Sequence, residues 1–315
     1  MARKYAMAIE EYGRWKSYLK VKYLKKFPKR EAYINQFIKH VAACYDSTQR
    51  AYFPSSMMWY LFEKRRRVIK RNQHFWIAFI GQKGGEGKST LAKQVLHFLD
   101  HSMDCERISL TYDEFIESIY NAKAVKKLKY PCVLLDEPEN KTHSNSAKGR
   151  KFRDILEKVR QMNLFVGVCA NSWSSVPAFI QERLTAVCFL NSKHRFTLWD
   201  KDKDPTNTVI DEIKEKWATK RHKVFKSDKM LNRAMFENVR FSSKCPFDDT
   251  QYLVKKEQDL IKDIGSYILD SKPKPKKTEK FEGEPKQVDK TIIKEDAPDF
   301  KMPDRGLKVR RKQKW

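Results

Sequence analysis

Residues 81–92, GQKGGEGKSTLA, place four glycines around two lysines and run on through Lys-Ser-Thr. That composition suits the gripping of phosphate. Gly84, Gly85 and Gly87 let backbone N–H groups turn toward phosphate oxygens without a Cβ in the way. Lys88 has the reach and charge for the β- and γ-phosphates, and the Ser89 hydroxyl is suited to hold Mg²⁺, with Thr90 behind it. Glu86 and Lys83 complete the loop. A second group lies at CVLLDEPEN, where an apolar run ends in Asp136 and Glu137. An aspartate there can order a metal ion, and a glutamate beside it can polarise an attacking water. A surface acidic turn fits badly, because the four preceding residues are apolar.

Such groups need a scaffold. Strand-like FWIAFI (75–80) precedes the glycines and helix-like STLAKQVLHFLD follows them, the strand–turn–helix context of a P-loop, or Walker A motif. Further apolar runs occur at 132–136, 164–170, 186–190 and 195–199, alternating with helical patterns. The expectation is an α/β protein: a parallel sheet covered by helices on both faces, with its chemistry at the C-terminal strand ends.

The chain divides by composition. Residues 1–72 hold 18 Lys/Arg against 5 Asp/Glu and read as a basic, aromatic-rich helical segment, with Tyr12, Trp15, Leu19 and Tyr23 at helical spacing. Residues 73–200 read as the nucleotide-binding core. Residues 201–270 read as mostly helical, and 271–315, rich in Lys, Pro and Glu, as a disordered tail. A formal net charge of +26 over 315 residues favours a polyanionic partner, DNA foremost. Arg65, Arg66 and Arg67 form one cationic run; Lys141, Lys148, Arg150 and Lys151 form another, after the acidic pair. Both are candidate phosphate contacts on nucleic acid, although solvated surface cations would look the same.

The first twenty residues are charged throughout and lack the apolar core of a signal peptide, and no apolar run approaches membrane-span length. Six scattered cysteines without a CxxC read as reduced thiols of a cytoplasmic protein. His97, His101 and Cys105 stand at four-residue spacing and could share a helix face. The run is expected to leave the helix near Asp100, so no metal site is expected there.

QKGGEGKST resembles the deviant Walker A loop of ParA/MinD-type partition ATPases, in which the lysine matching Lys83 reaches the partner's nucleotide across a dimer. The rest points elsewhere. Glu137 follows the Walker B aspartate directly, and only 48 positions separate Lys88 from Asp136. An ABC ATPase would need a signature helix before Asp136, and none is present. The arrangement resembles the additional-strand, catalytic-glutamate branch of P-loop ATPases, which includes AAA+, superfamily 3 helicase and FtsK/HerA-type motors. Within it, Asn171 after LFVGVCA occupies the place of a polar sensor, and Arg183 in FIQERLTAVCFL that of an arginine finger acting on a neighbouring subunit. An ordinary loop residue and a surface arginine are the plainer alternatives. The spacing over residues 73–200 resembles small FtsK/HerA-type ATPases of archaeal viruses and plasmids. That resemblance implies a homo-oligomeric, ATP- and Mg²⁺-dependent motor of the helicase, packaging or DNA-transfer type. A partition-type switch, an AAA+ helicase loader and a non-hydrolysing nucleotide scaffold stay open beside it.

Overall fold

The computed structural model describes residues 9–48, 53–82, 85–137, 147–159, 163–204 and 206–271. Three helices come first: α1 (Ile9–Lys26), α2 (Glu31–Thr48) and α3 (Ser55–Arg71). Basic residues close α1 (Lys25, Lys26) and α3 (Lys70, Arg71), where the helix dipole favours positive charge. Asn72 ends α3 in the left-handed conformation (φ 54°), and its N–H turns back to the last carbonyls of the helix.

The α/β body then runs β1 (Phe75–Ile80), α4 (Lys88–Leu99), β2 (Ile108–Ser109), α5 (Tyr112–Tyr120), β3 (Cys132–Asp136), α6 (Ala147–Val159), β4 (Phe165–Ala170), α7 (Ala178–Gln181), β5 (Ala186–Ser192) and β6 (Arg195–Asp200). It is followed by α8 (Val209–Lys220), α9 (Asp228–Leu231), β7 (Phe236–Arg240) and α10 (Thr250–Ser271). The seven strands make one sheet in the order β2-β3-β4-β1-β5-β6-β7. The first five are parallel, while β6 and β7 are antiparallel additions on one edge. The sheet is therefore mostly, not wholly, parallel. All five expected strands form. Two were not expected: β2, only two residues long, and β7, a half-exposed strand within the region read as mostly helical.

Strand β1 is buried along its whole length and divides its side chains between two cores. Phe75, Ile77 and Phe79 face a core built with α4 and the N-terminal helices, while Trp76, Ala78 and Ile80 face one built with α5, α6 and α8. The N-terminal helices thus share a core with the sheet. Leu19, Tyr23, Phe37 and Trp59 lie in that cluster, and the Tyr23 and Trp59 rings stack at 4.3 Å. Tyr12 and Trp15 lie on α1, with side chains outside those described.

A buried ion pair ties α3 to the end of β6. Lys64 Nζ lies 2.9 Å from Asp200 Oδ1, both side chains being almost wholly buried, and the Tyr60 hydroxyl donates to Asp200 Oδ2 at 2.8 Å. The described residues up to 266 form one compact unit, and α10 runs on from it to Ser271. The rest of the expected disordered tail lies outside the described residues. Among those described, no cysteine forms a disulfide and no helix is long and apolar enough to cross a membrane.

Candidate nucleotide site

Three parallel strands end side by side and deliver the candidate residues. Strand β1 leads through the glycine loop into α4, β3 ends at Asp136, and β4 ends one residue before Asn171. Pairing brings these ends level: Ile80 opposes Ala170, and Asp136 opposes Cys169. The loop turns on glycines in backbone regions that side chains rarely adopt, Gly85 at φ 77° and Gly87 at φ 96°. Among the described residues, no atom lies within 4 Å of where a Cβ on Gly85 would project, so that side of the loop is open to them. Helix α4 begins with no side-chain cap, which leaves its first N–H groups for an anion. Lys83 and Gly84 lie outside the described residues.

Lys88 is buried at the start of α4, and its Nζ donates to Asn171 Oδ1 at 2.6 Å. The Ser89 hydroxyl lies 3.0 Å from both oxygens of Asp136, a carboxylate with no solvent exposure. Thr90 follows, half-buried, and the Glu86 carbonyl accepts from the His194 N–H at 3.2 Å. Glu137 sits at φ 53°, with its N–H bonded to the Cys169 carbonyl at 3.1 Å. Lys88, Ser89, Asp136, Glu137 and Asn171 therefore meet at one edge of the sheet.

Arg183 does not join them. It lies in the turn before β5, and the neighbouring Thr185 pairs with Trp76 at the start of β1. It stands at the N-terminal edge of the sheet, roughly 17–20 Å of strand away from its own glycine loop. Its Nε is buried with no hydrogen-bond partner among the described residues. Arg65 donates to the Leu99 carbonyl at 2.6 Å, closing the C-terminus of α4, and Arg66 stacks on the Tyr33 ring at 4.3 Å. Arg67 is half-buried further along α3. Lys148, Arg150 and Lys151 lie on α6, with Arg150 exposed; Lys141 lies outside the described residues.

Two residues of the site carried no signal in the sequence. Helix α10 brings the Tyr252 hydroxyl into a hydrogen bond with Asp136 Oδ2, and Lys256 Nζ to 3.1 Å from the same oxygen and 3.2 Å from Glu137 Oε2. The segment before α10 is fastened around α4. Gln94 donates to the carbonyls of Ser242 and Lys244, both at 2.7 Å, and Lys93 pairs with Asp249 at 2.5 Å while lying over the Tyr252 ring. Burial alone would raise the Asp136 pKa; the Lys256 charge and the Tyr252 hydroxyl outweigh it and hold the carboxyl below its ordinary value. Burial likewise opposes the charge on Lys256, but Asp136 and then Glu137 raise its pKa, so it stays an ammonium.

A buried carboxylate with a serine hydroxyl in contact is a hard oxygen set that fits Mg²⁺, and the open glycine loop fits a phosphate chain. No protein-family model matches the chain, and no curated protein matches it in sequence. Among solved structures it is similar to the N-terminal domain of zonular occludens toxin from Neisseria meningitidis, at 10% identity over 41% of this chain and 84% of that one, with a TM-score of 0.30. It is also similar to the genome packaging NTPase B204 from Sulfolobus turreted icosahedral virus 2, solved with ATP-gammaS, at 12% identity over 41% of this chain and 93% of that one, with a TM-score of 0.31. The chain's own topology speaks to the fold: β4 lies between the loop-bearing strand β1 and the acid-bearing strand β3. With the glycine loop leading into α4, that order makes the chain a protein of the P-loop NTPase α/β fold with the additional strand in place.

Proposed function

We propose that the chain is a Mg-ATP-hydrolysing motor that acts on nucleic acid, of the helicase, packaging or DNA-transfer kind, and that it works as a homo-oligomer. One observation supports this above the others: Lys88, Ser89, Asp136, Glu137 and Asn171 converge at one sheet edge, with β4 between the two motif strands. The inserted strand and Glu137 together favour the catalytic-glutamate branch over a partition-type switch.

Gly85, Gly87 and the first turn of α4 would bind the phosphates, and Lys88 would pass from Asn171 to the β- and γ-phosphates. Ser89 and Asp136 would hold Mg²⁺, which when bound neutralises charge on the transferred phosphate. Glu137 would accept a proton from the attacking water as the water oxygen bonds to the γ-phosphorus. The bond from that phosphorus to the bridging oxygen then breaks, and ADP leaves with the electron pair. Asn171 would report the γ-phosphate to β4. Arg183, at the opposite edge, would serve a neighbouring copy's nucleotide. The net charge of +26 supports nucleic acid as the partner. The cations of α6 and the run Arg65–Arg67 are the proposed contacts; Arg65 and Arg66 also pack within the fold.

The test is ATP turnover by the purified chain, with and without single- and double-stranded DNA, beside Glu137→Gln. DNA-stimulated turnover that the substitution abolishes is expected. Tight ATP binding with no turnover under any condition would sink the motor reading and leave a switch or scaffold.

A further inference from the structure

His40 and Cys44 are one turn apart on α2, so their side chains leave the same helix face. His101, just beyond the end of α4, meets them from the other side. Cys44 Sγ lies 3.2 Å from His101 Nδ1, and His101 Nε2 lies 3.2 Å from His40 Nδ1. One ligand atom from each residue falls within 4.8 Å of the others.

His40 Nε2 lies 2.7 Å from the Phe98 carbonyl, which can only accept, so Nε2 carries the proton. In the neutral ring, the lone pair is then on Nδ1, the atom facing His101. A ligating imidazole is characteristically held in this way, with its far N–H on a backbone carbonyl. Burial pushes the Cys44 thiol well above its ordinary range and the Arg65 charge offsets only part of this, so a bound metal ion would have to drive off the thiol proton. Cys44 is buried while His40 and His101 are mostly buried with a part of each exposed, so the cluster is enclosed yet reachable from solvent.

We propose that His40, Cys44 and His101 form a structural zinc site that fastens α2 to the C-terminal end of the glycine-loop helix α4. Two imidazoles and a thiolate are a borderline-soft set that suits Zn²⁺ and not the oxygen-seeking Mg²⁺ or Ca²⁺. Binding forms a bond between zinc and sulfur and releases the Cys44 thiol proton to solvent. Three protein ligands leave the fourth position of a tetrahedral ion to water. The site differs from the His97, His101 and Cys105 grouping weighed from the sequence: Cys105 turns instead to Gln251, at 3.5 Å. What joins His101 is a pair some 57–61 residues away in the chain.

The same three side chains can otherwise form a plain relay, Cys44 S–H to His101, His101 N–H to His40, and His40 N–H to Phe98, with no metal. The experiment separates the two. The full chain is purified without chelator, its metal content is measured, and the apoprotein is titrated with Co²⁺. About one zinc per chain is expected, together with a sulfur-to-cobalt charge-transfer band and the intense visible bands of tetrahedral cobalt. Cys44→Ser should remove the charge-transfer band, and His40→Ala should weaken cobalt binding, with Cys245→Ser as an unchanged control. Should either cluster variant fail to fold, the unsubstituted chain still decides. Substoichiometric zinc and no charge-transfer band would overturn the proposal in favour of the relay.

Discussion

Lys256 Nζ lies 3.1 Å from Asp136 Oδ2, so an ammonium on the C-terminal helix α10 is paired with the carboxylate that ends β3. Its other partner is Glu137, 3.2 Å away. One positive charge therefore bridges both acids of the candidate site, at the place where a divalent cation would be neutralised. Under the proposed function, Lys256 and Mg²⁺ would compete for the same negative charge, which would couple α10 to metal-nucleotide binding.

Replacing Lys256 by Met keeps the aliphatic stem and removes the charge. The expected result is Mg²⁺-dependent nucleotide binding tighter by about five- to tenfold, a modest gain because exposed ion pairs are screened by solvent; the Lys256 side chain is 36% exposed. Affinity in EDTA should hardly change. Titration of a fluorescent ATP analogue with and without Mg²⁺ reads both. Weaker binding in both conditions would instead mean that Lys256 contacts phosphate.

Arg183 stands at the N-terminal edge of the sheet and Lys88 at the C-terminal edge, so the two cannot serve one nucleotide within a chain. Arg183→Ala should lower turnover by about 10³-fold or more if it acts as a finger in trans, with nucleotide affinity much less affected. Lys88→Ala should be inactive through lost binding. Mixing the two inactive proteins should restore turnover, because some interfaces then pair an intact loop with an intact arginine. No recovery in demonstrably mixed oligomers would remove Arg183 from the mechanism.

The parts of the site that were legible lie where backbone geometry ties residue type to position. Gly85 and Gly87 sit at φ 77° and 96°, farther into positive φ than any described residue that carries a side chain, and Asp136 is identified by the buried run it terminates. Tyr252 and Lys256 carried no such mark. They lie 116 and 120 residues from Asp136 in the chain, on a mixed-charge helix whose pattern is that of any amphipathic helix. Strand β7 escaped notice for a related reason. Its burial follows no alternation, and Asn238 sits within it at φ 50°. His40 and Cys44 were separated from His101 by the whole of α3 and β1, and only packing of α2 on α4 joins them.

The Lys64–Asp200 pair was equally silent in the sequence. In the fold, Lys64→Met leaves Asp200 as a buried charge supported by the Tyr60 hydroxyl and the Asp202 N–H alone among the described residues. The expected loss is about 3–5 kcal/mol of unfolding free energy, as for other broken buried pairs. Lys64→Met with Asp200→Leu should recover part of it, since no charge is then stranded. Urea unfolding of both variants checks this; a loss below about 1 kcal/mol for the single change would mean that solvent reaches the pair.

Asp204 gives the fold an acid-sensitive joint. Its Oδ2 accepts from the N–H groups of Thr208 and Val209 at 2.8 and 3.1 Å, capping α8, and both its oxygens take the Arg233 guanidinium. The Arg233 hydrogen bonds, chiefly, hold its pKa down from 3.8 to about 2. Because the folded value is the lower one, the unfolded chain binds the proton first as pH falls. The stabilisation is complete above about pH 4 and drains away between about pH 4 and pH 2. Glu212, also pushed down to about 2, chiefly by its hydrogen bond with Lys216, contributes in the same window. Asp204→Asn should therefore be less stable than the unsubstituted chain at neutral pH, and its stability should fall less steeply below pH 4, with the Glu212 share remaining. Thermal unfolding at a series of pH values measures the slope. Parallel curves for the two proteins would show that Asp204 keeps no depressed pKa in the folded chain.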